Sequence, residues 1–419
     1  KCNFTDCTSG TNGGGVDWLA GANYGKVIDC NFTNTRAARS AGAIYYDGDY
    51  GEMRNIIIKN ATSYGGAINE SADKLVKYAG WDLSHWDTNT TGGDAGAIMF
   101  TGDHITVYNV NVTDCTAAGR GGAVFLQDNH NVTFELCWFE NNRALGIANN
   151  TFNDPYDTSS GLNRELTGEG GAIGFDVGAT ESSIISSTFV NNYALNYGGA
   201  VHFRQGASED KIINSTFDKN HANEDGGALY IDGDDCELHN STFDNNYAGD
   251  DGGAIFWKGQ GGTIYNITCN NNSGLSTHGN SKGGTICLTG NDISLSDSSF
   301  KQSYAKVTGG AIFVTGNNVN ITGSDFKDCN ATDSTGGALY LLGNNTLVRD
   351  CTFEECHADA GNAVYTEGNY IKIINSTFNN NNGTGDGGAL YVLGHHSELH
   401  NSTFTNNFAG DDGGAIYWR

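Results

Sequence analysis

Proline is almost missing from this chain of 419 residues; Pro155 is the single example. A strand that must donate its amide to a neighbour has little room for proline, so the scarcity fits a chain built of paired strands. Methionine is nearly as rare, at two residues, which argues against helix bundles. No run approaches the ~18 apolar residues that a membrane-spanning helix needs. Cationic residues are short too: 22 Lys and Arg stand against 48 Asp and Glu, a formal net charge of -26. Nucleic-acid binding calls for basic stripes, so that partner class is set aside. The eleven cysteines include no Cys-x-x-Cys pair, which argues against zinc. No secretion signal heads the chain, which opens in the middle of a repeat; a signal, if encoded, precedes it.

Glycine is what the chain has in excess, at 60 residues, about twice its ordinary share of ~7%. Hydrophobic residues at 38% and aromatics at 11% suffice for a core, so disorder is not expected. The glycines fall in a repeat. Gly-Gly-Ala-aliphatic starts at Gly65, Gly121, Gly170, Gly198, Gly226, Gly252, Gly309, Gly387 and Gly413. Variants start at Gly13, Ala41, Ala95, Gly283, Gly336 and Gly361. Between copies lies Asn-Ser-Thr-Phe with a further Asn three residues after the Phe, as at Asn214–Phe217, Asn240–Phe243, Asn375–Phe378 and Asn401–Phe404. Residues 223–258 match 384–419 at 25 of 36 positions, an offset of 161. Duplication of a block of about six repeats in a stacked array leaves that trace.

Read down the aligned copies, the pattern is strand-like. Leu229 and Ile231, Ile255 and Trp257, and Ile312 and Val314 follow the motif's Ala at alternating positions and should face a core. Ile293 and Leu295, and Val319 and Ile321, alternate seven and five residues before the Phe. A bend-type residue then falls three before the Phe, as in Asp29, Asn214, Asn240, Asp297 and Asp350. The expectation is an all-β fold: a right-handed single-stranded parallel β-helix of 14–15 coils, with three short strands per coil. At ~4.8 Å per coil the rod should be ~70 Å long. The Asn after each Phe (Asn192, Asn220, Asn246, Asn381, Asn407) should form an amide ladder at a corner. Residues 1–419 read as one continuous β-helix, with inserts at 70–94, 146–168 and 272–282. Both chain ends fall inside repeat motifs, so the segment reads as part of a longer rod or as one that docks onto further copies.

Gly-Gly-Ala-Ile paired with Phe-x-x-Asn resembles the repeats of polymorphic outer-membrane proteins and of archaeal adhesin-like surface proteins, over nearly the whole chain. The resemblance implies a right-handed parallel β-helix exported to the cell surface, often adhesive. It brings no catalytic pattern, so no catalytic residue is assigned.

Candidate sites follow from the residues. Tyr45, Phe125, Tyr230, Phe256, Phe313, Tyr340, Tyr365, Tyr391 and Tyr417 share one register and should point outward as an aromatic stripe. Such a stripe would contact glycans or a partner, or else shield strand hydrogen bonds. Tyr230, Phe256, Tyr340 and Tyr391 are its ligand-binding candidates, with Tyr78, Trp81 and Trp86 of the first insert. Asp225, Asp251, Asp386 and Asp412 precede Gly-Gly and could collect Ca²⁺, although a solvated acidic corner explains them as well. Of 18 Asn-x-Ser/Thr sequons, those in or beside inserts (Asn89, Asn149, Asn271) are the better glycan acceptors; those in Asn-Ser-Thr-Phe are explained by folding. Cys2–Cys30 and Cys329–Cys356 share registers one coil apart and are the candidate disulfides, the remaining cysteines filling internal columns as thiols.

Many β-helices cleave acidic polysaccharide, so that alternative is weighed. Glycosidases need two placed carboxylates, and the Asn-Thr-Asp, Gly-His-Gly and Arg-Ile-Lys signatures of polygalacturonase-like β-helices are missing. No irregular cluster of Asp, Lys and Arg is evident along the chain. The reading is a non-enzymatic, extracellular adhesin or stalk without cofactor. Its partners would be glycans or surface proteins of other cells, or further copies of itself in a filament.

Overall fold

The computed structural model describes residues 1–64, 93–146, 168–275, 281–332 and 334–419. Among them there is no helix, and every named strand pairs in parallel with its equivalent one coil away. The result is a right-handed parallel β-solenoid. Its fourteen-stranded sheet runs from Val16–Trp18 to Ile416–Trp418, which bounds about thirteen full turns, slightly fewer than the spacing of motifs suggests.

One coil shows how the residues make the shape. Lys211–Ile213 and Thr216–Asp218 both lie in a 25-stranded sheet. Asn214 between them takes the left-handed conformation, φ 53°, and reverses the inward parity. His221–Ala222 enters an eleven-stranded sheet, and Leu229–Ile231 enters the fourteen-stranded one. The coil thus has three faces, and the bent face contributes two short strands. Asn and Asp tolerate that bend better than other residues with a Cβ, and Asp29, Asn240, Asp297 and Asp350 all have φ of 50–55°. The motif's two glycines have different reasons. Gly226 has φ +67°, and a Cβ on Gly227 would collide with the carbonyl oxygen of Gly253 in the next coil.

Inside, like stacks on like. Phe189, Phe217 and Phe243 are fully buried, with ring centroids 4.8 Å apart and planes within 4° of parallel. Burying each ring contributes about 1.5–3 kcal/mol, and each stacked pair about 0.5–1.5 more. Beside them runs the expected amide ladder, wholly buried. Asn220 Nδ2 donates to Asn246 Oδ1 at 3.1 Å and to the Phe189 carbonyl at 3.0 Å. Its own Oδ1 accepts the Asn192 backbone N–H at 3.0 Å. Both backbone groups would otherwise be orphaned in the core.

The third insert is narrower than expected. Asn272 belongs to the amide ladder, and Ser273–Gly274 is a strand of the eleven-stranded sheet.

Candidate functional site

The residue before each Gly-Gly sits at the corner leading into the fourteen-stranded sheet. At Asp225, Asp251, Asp386 and Asp412 it is acidic, and in three of these the carboxylate caps the next coil. Asp225 Oδ1 accepts the Asp251 N–H at 3.0 Å, Asp251 Oδ1 that of Lys282 at 2.8 Å, and Asp386 Oδ1 that of Asp412 at 2.9 Å. This gives the acidic corner a folding role. Burial, then the charges of Asp251, Asp250 and Glu224, push Asp225 up to about 7. Burial also pushes Asp251 up to about 6, against the pull of Lys282. Ligand atoms of Asp386, Asp411 and Asp412 lie within 4.8 Å of one another, and this is the one group with metal-binding spacing among the described residues. Asp225 and Asp251 are in no such group.

In one stretch the corner changes character. The column reads Asp94, Arg120, Glu169. Arg120 binds Asp94 through Nε at 3.2 Å and Nη2 at 2.9 Å, and binds Asp176 through Nη1 at 3.0 Å. Its guanidinium also lies 4.3 Å from the Phe125 ring centroid. Burial disfavours the charge, but Asp94, Asp176 and Glu169 outweigh it and hold the pKa above the ordinary range. Arg204 shares Asp176 at 2.8 Å and reaches Glu169 at 3.4 Å. His202 Nδ1 lies 3.3 Å from Glu169 Oε2, and both residues are 4% exposed. Next to them Tyr197 is raised by burial and by its hydrogen bond to Glu224. An irregular charge cluster therefore does interrupt the repeat, contrary to the reading along the chain. Its cations and carboxylates are already matched to one another. As built it pins four coils together and offers no open carboxylate pair.

The aromatic register differs from expectation. Phe125 is buried at 1% exposure and Tyr230 at 9%, while Phe256, Tyr340 and Tyr391 are half-buried. The rings face each other along the rod: Tyr230–Phe256 at 4.9 Å, Tyr340–Tyr365 at 5.1 Å and Tyr365–Tyr391 at 4.7 Å. Their faces are consumed by stacking, and Cys287 interrupts the run between Phe256 and Phe313. A sugar needs a ring face, so this column supports the sheet rather than a glycan.

Tyr78, Trp81, Trp86, Asn89 and Asn149 lie outside the described residues. Asn271 is exposed in the left-handed conformation, φ 52°, and its Nδ2 already donates to Asn245 Oδ1 at 2.8 Å. The recurrent Asn-Ser-Thr-Phe is accounted for by the coil: Asn214 turns, and the buried Ser215 receives the Ser187 N–H on Oγ at 3.2 Å. The two disulfide candidates are not bridged; all eleven cysteines are free thiols. In-register stacking aims equivalent side chains in parallel. Thus Cys329 Sγ points to the Lys327 carbonyl at 3.5 Å and Cys356 Sγ to that of Glu354 at 3.5 Å.

Grooves mark the described surface. One, of about 540 Å³, is lined by Glu181, Glu209, Asp235 and Glu237 with Lys211, which pairs with Glu237 at 3.1 Å. Another, of about 450 Å³, runs over the eleven-stranded face past Arg143 and Tyr193.

Comparison with known proteins agrees with the fold. The right handed beta helix region model matches residues 253–418, and the Chlamydia polymorphic membrane protein repeat matches residues 214–232 and 240–256. No curated protein matches the chain. Among solved structures, a PL6 alginate lyase in complex with trisaccharide is 12% identical, with 97% of this chain and 86% of that one covered, at TM-score 0.49. A GH87 alpha-1,3-glucanase catalytic domain in complex with nigerose is 10% identical, with 99% and 61% covered, at TM-score 0.37. The Family 28 exopolygalacturonase of Yersinia enterocolitica is 10% identical, with 93% and 72% covered, at TM-score 0.36. The chain is thus a right-handed parallel β-helix in which two stretches, 214–232 and 240–256, match the polymorphic-membrane-protein repeat.

Proposed function

We propose that this β-helix works at the outside of a cell as a non-enzymatic rod that carries attachment surfaces toward glycans or surface proteins of other cells. The observation that carries the reading is the polymorphic-membrane-protein repeat, which lies in the most regular coils. The chemistry of the strongest charge cluster is in keeping with it. Arg120, Arg204, Asp94, Asp176, Glu169 and His202 engage one another, leaving no acid and base poised across an open cleft.

The test has two arms. Beads coated with the protein should adhere to cells or to immobilised glycans in a saturable way, and beads coated with an unrelated acidic protein should not. Incubation with alginate, polygalacturonate and α-1,3-glucan should release no reducing ends or unsaturated products. Turnover of any of these, abolished by Glu169→Gln or His202→Ala, would replace the attachment reading with an enzymatic one.

A further inference from the structure

The eleven-stranded face carries one feature that the folding of the coil does not explain. Its floor takes one outward residue from each of four successive coils: Thr116, Arg143, Tyr193 and His221, paired in register. Its wall is the left-handed corner of the same coils, where Asn191 Nδ2 donates to Asn141 Oδ1, and Asn141 Nδ2 to Asp114 Oδ1. Each of these amides has two N–H groups and spends one along the ladder. One N–H on each of Asn141 and Asn191 remains for a ligand, about 4.8 Å apart.

Arg143 is the cation of this groove, and it is exposed. Its guanidinium carbon lies 5.2 Å from the Tyr193 ring centroid. Among the described residues no carboxylate lies within ion-pair distance of it, whereas Arg120 and Arg204 each hold two. The nearby Asp114 is engaged by Lys59 at 3.7 Å and by Asn141 at 3.2 Å. In a chain of net charge -26, a guanidinium steadied on a ring with its fork open is an anion site. A planar fork suits a carboxylate, which it binds through two parallel N–H groups.

From this we infer that the groove binds an extended oligosaccharide containing carboxylate sugars, with the carboxylate on Arg143 and ring hydroxyls on the corner amides. Apart from the Tyr193 ring, the lining residues are polar or charged, a poor seat for an apolar peptide anchor. Spanning four coils, it is about 14 Å long, enough for a short run of sugars. The inference deepens the attachment reading and rests on it for its biological sense, but its chemistry is tested separately.

Isothermal titration with tetragalacturonate, its methyl ester and cellotetraose is the experiment. Tetragalacturonate should bind in the millimolar range or tighter, with the ester and cellotetraose at least tenfold weaker. Arg143→Ala should weaken tetragalacturonate at least tenfold, and Arg143→Lys less, with the thermal midpoint of both variants unchanged. Equal binding by Arg143→Ala, equal binding of the ester, or no binding at millimolar concentration would overturn the proposal. Beads coated with Arg143→Ala separate the two readings. If they adhere like the parent although tetragalacturonate binding is lost, the groove stands and adhesion uses another surface. If the parent binds tetragalacturonate through Arg143 but never adheres, the groove stands and the attachment reading falls.

Discussion

The coils from 211 onward and those between 93 and 204 have the same backbone path but are held differently. In the first region rings lie flat on rings, as Phe217 on Phe243 at 4.8 Å and 2°. In the second the same column also stacks, Phe139 on Phe189 at 5.0 Å and 11°, and edge-on contacts between columns are added: Phe134 meets Phe139 at 6.3 Å and 69°, and Phe100 meets Phe134 at 6.2 Å and 63°. The acid before Gly-Gly faces another acid in the first region, Asp225 against Asp251, and a guanidinium in the second, Asp94 against Arg120. A solenoid needs only that neighbouring coils match. It can meet that need by repeating one residue or by fitting unlike residues together, and the second solution appears beside the two longest inserts.

The comparison breaks most visibly in the ring column. Phe243→Ala removes a fully buried ring that stacks on Phe217 and lies in register with Cys269, and should cost about 3–5 kcal/mol. Hydrogen exchange should show protection lost in the coils around 217–269 while coils 93–204 keep theirs, because coupling in a stacked array is to nearest neighbours. Loss spread evenly over the whole rod would mean the two regions are one cooperative unit.

Arg120→Ala tests the other region. It leaves Asp94 without a guanidinium and Asp176 with Arg204 alone, which should cost about 3 kcal/mol, at the lower end for a broken buried pair. The double variant Arg120→Met, Asp94→Asn should recover most of that loss, because Asp176 keeps Arg204, as read by urea unfolding. If it recovers nothing, Arg120 acts by packing on Phe125 rather than by charge.

A smaller loss, about 2 kcal/mol, is expected for Asn220→Ala, since it strands the Phe189 carbonyl and the Asn192 amide. Asn220→Ser should cost less than Ala, because a hydroxyl still serves one of the two backbone groups. Equal losses for Ser and Ala would show that the amide network itself, rather than backbone satisfaction, is what the column supplies.

The ring and amide columns were readable from the chain because each recurs in register and repetition averages out exceptions. The bend at Asn214 and the buried Ser215 could be read for the same reason. The charge network was missed because each member occurs once. Arg120 looks like a surface arginine until it is set between Asp94 and Glu169 in one column. That alternation of sign down the corner column is the signal, and reading along the chain scatters it over 75 residues. The aromatic stripe stayed open between ligand contact and shielding of the strands. Strand alternation gives the side of the sheet correctly, but not that stacking would hide the faces of Tyr340, Tyr365 and Tyr391 from any ligand.

Acidity sharpens the contrast at the corner itself. In the regular coils burial and neighbouring carboxylates raise Asp225 to about 7 and Asp251 to about 6, against about 3.9 in an unfolded chain. The folded state therefore holds protons between about pH 4 and 7 that the unfolded chain has released. Stability contributed by these groups is fully present below about 4 and is lost as the pH rises through 6 to 7. The thermal midpoint should rise when the pH is lowered from 7.5 to 5. General relief of a net charge of -26 would give the same sign. The double variant Asp225→Asn, Asp251→Asn separates the two causes: it should be the more stable protein at pH 7.5 and lose most of the gain on acidification. A variant with the same slope as the parent would assign the effect to overall charge, and the acid-on-acid corner would then differ from the Asp94–Arg120 corner in composition but not in consequence.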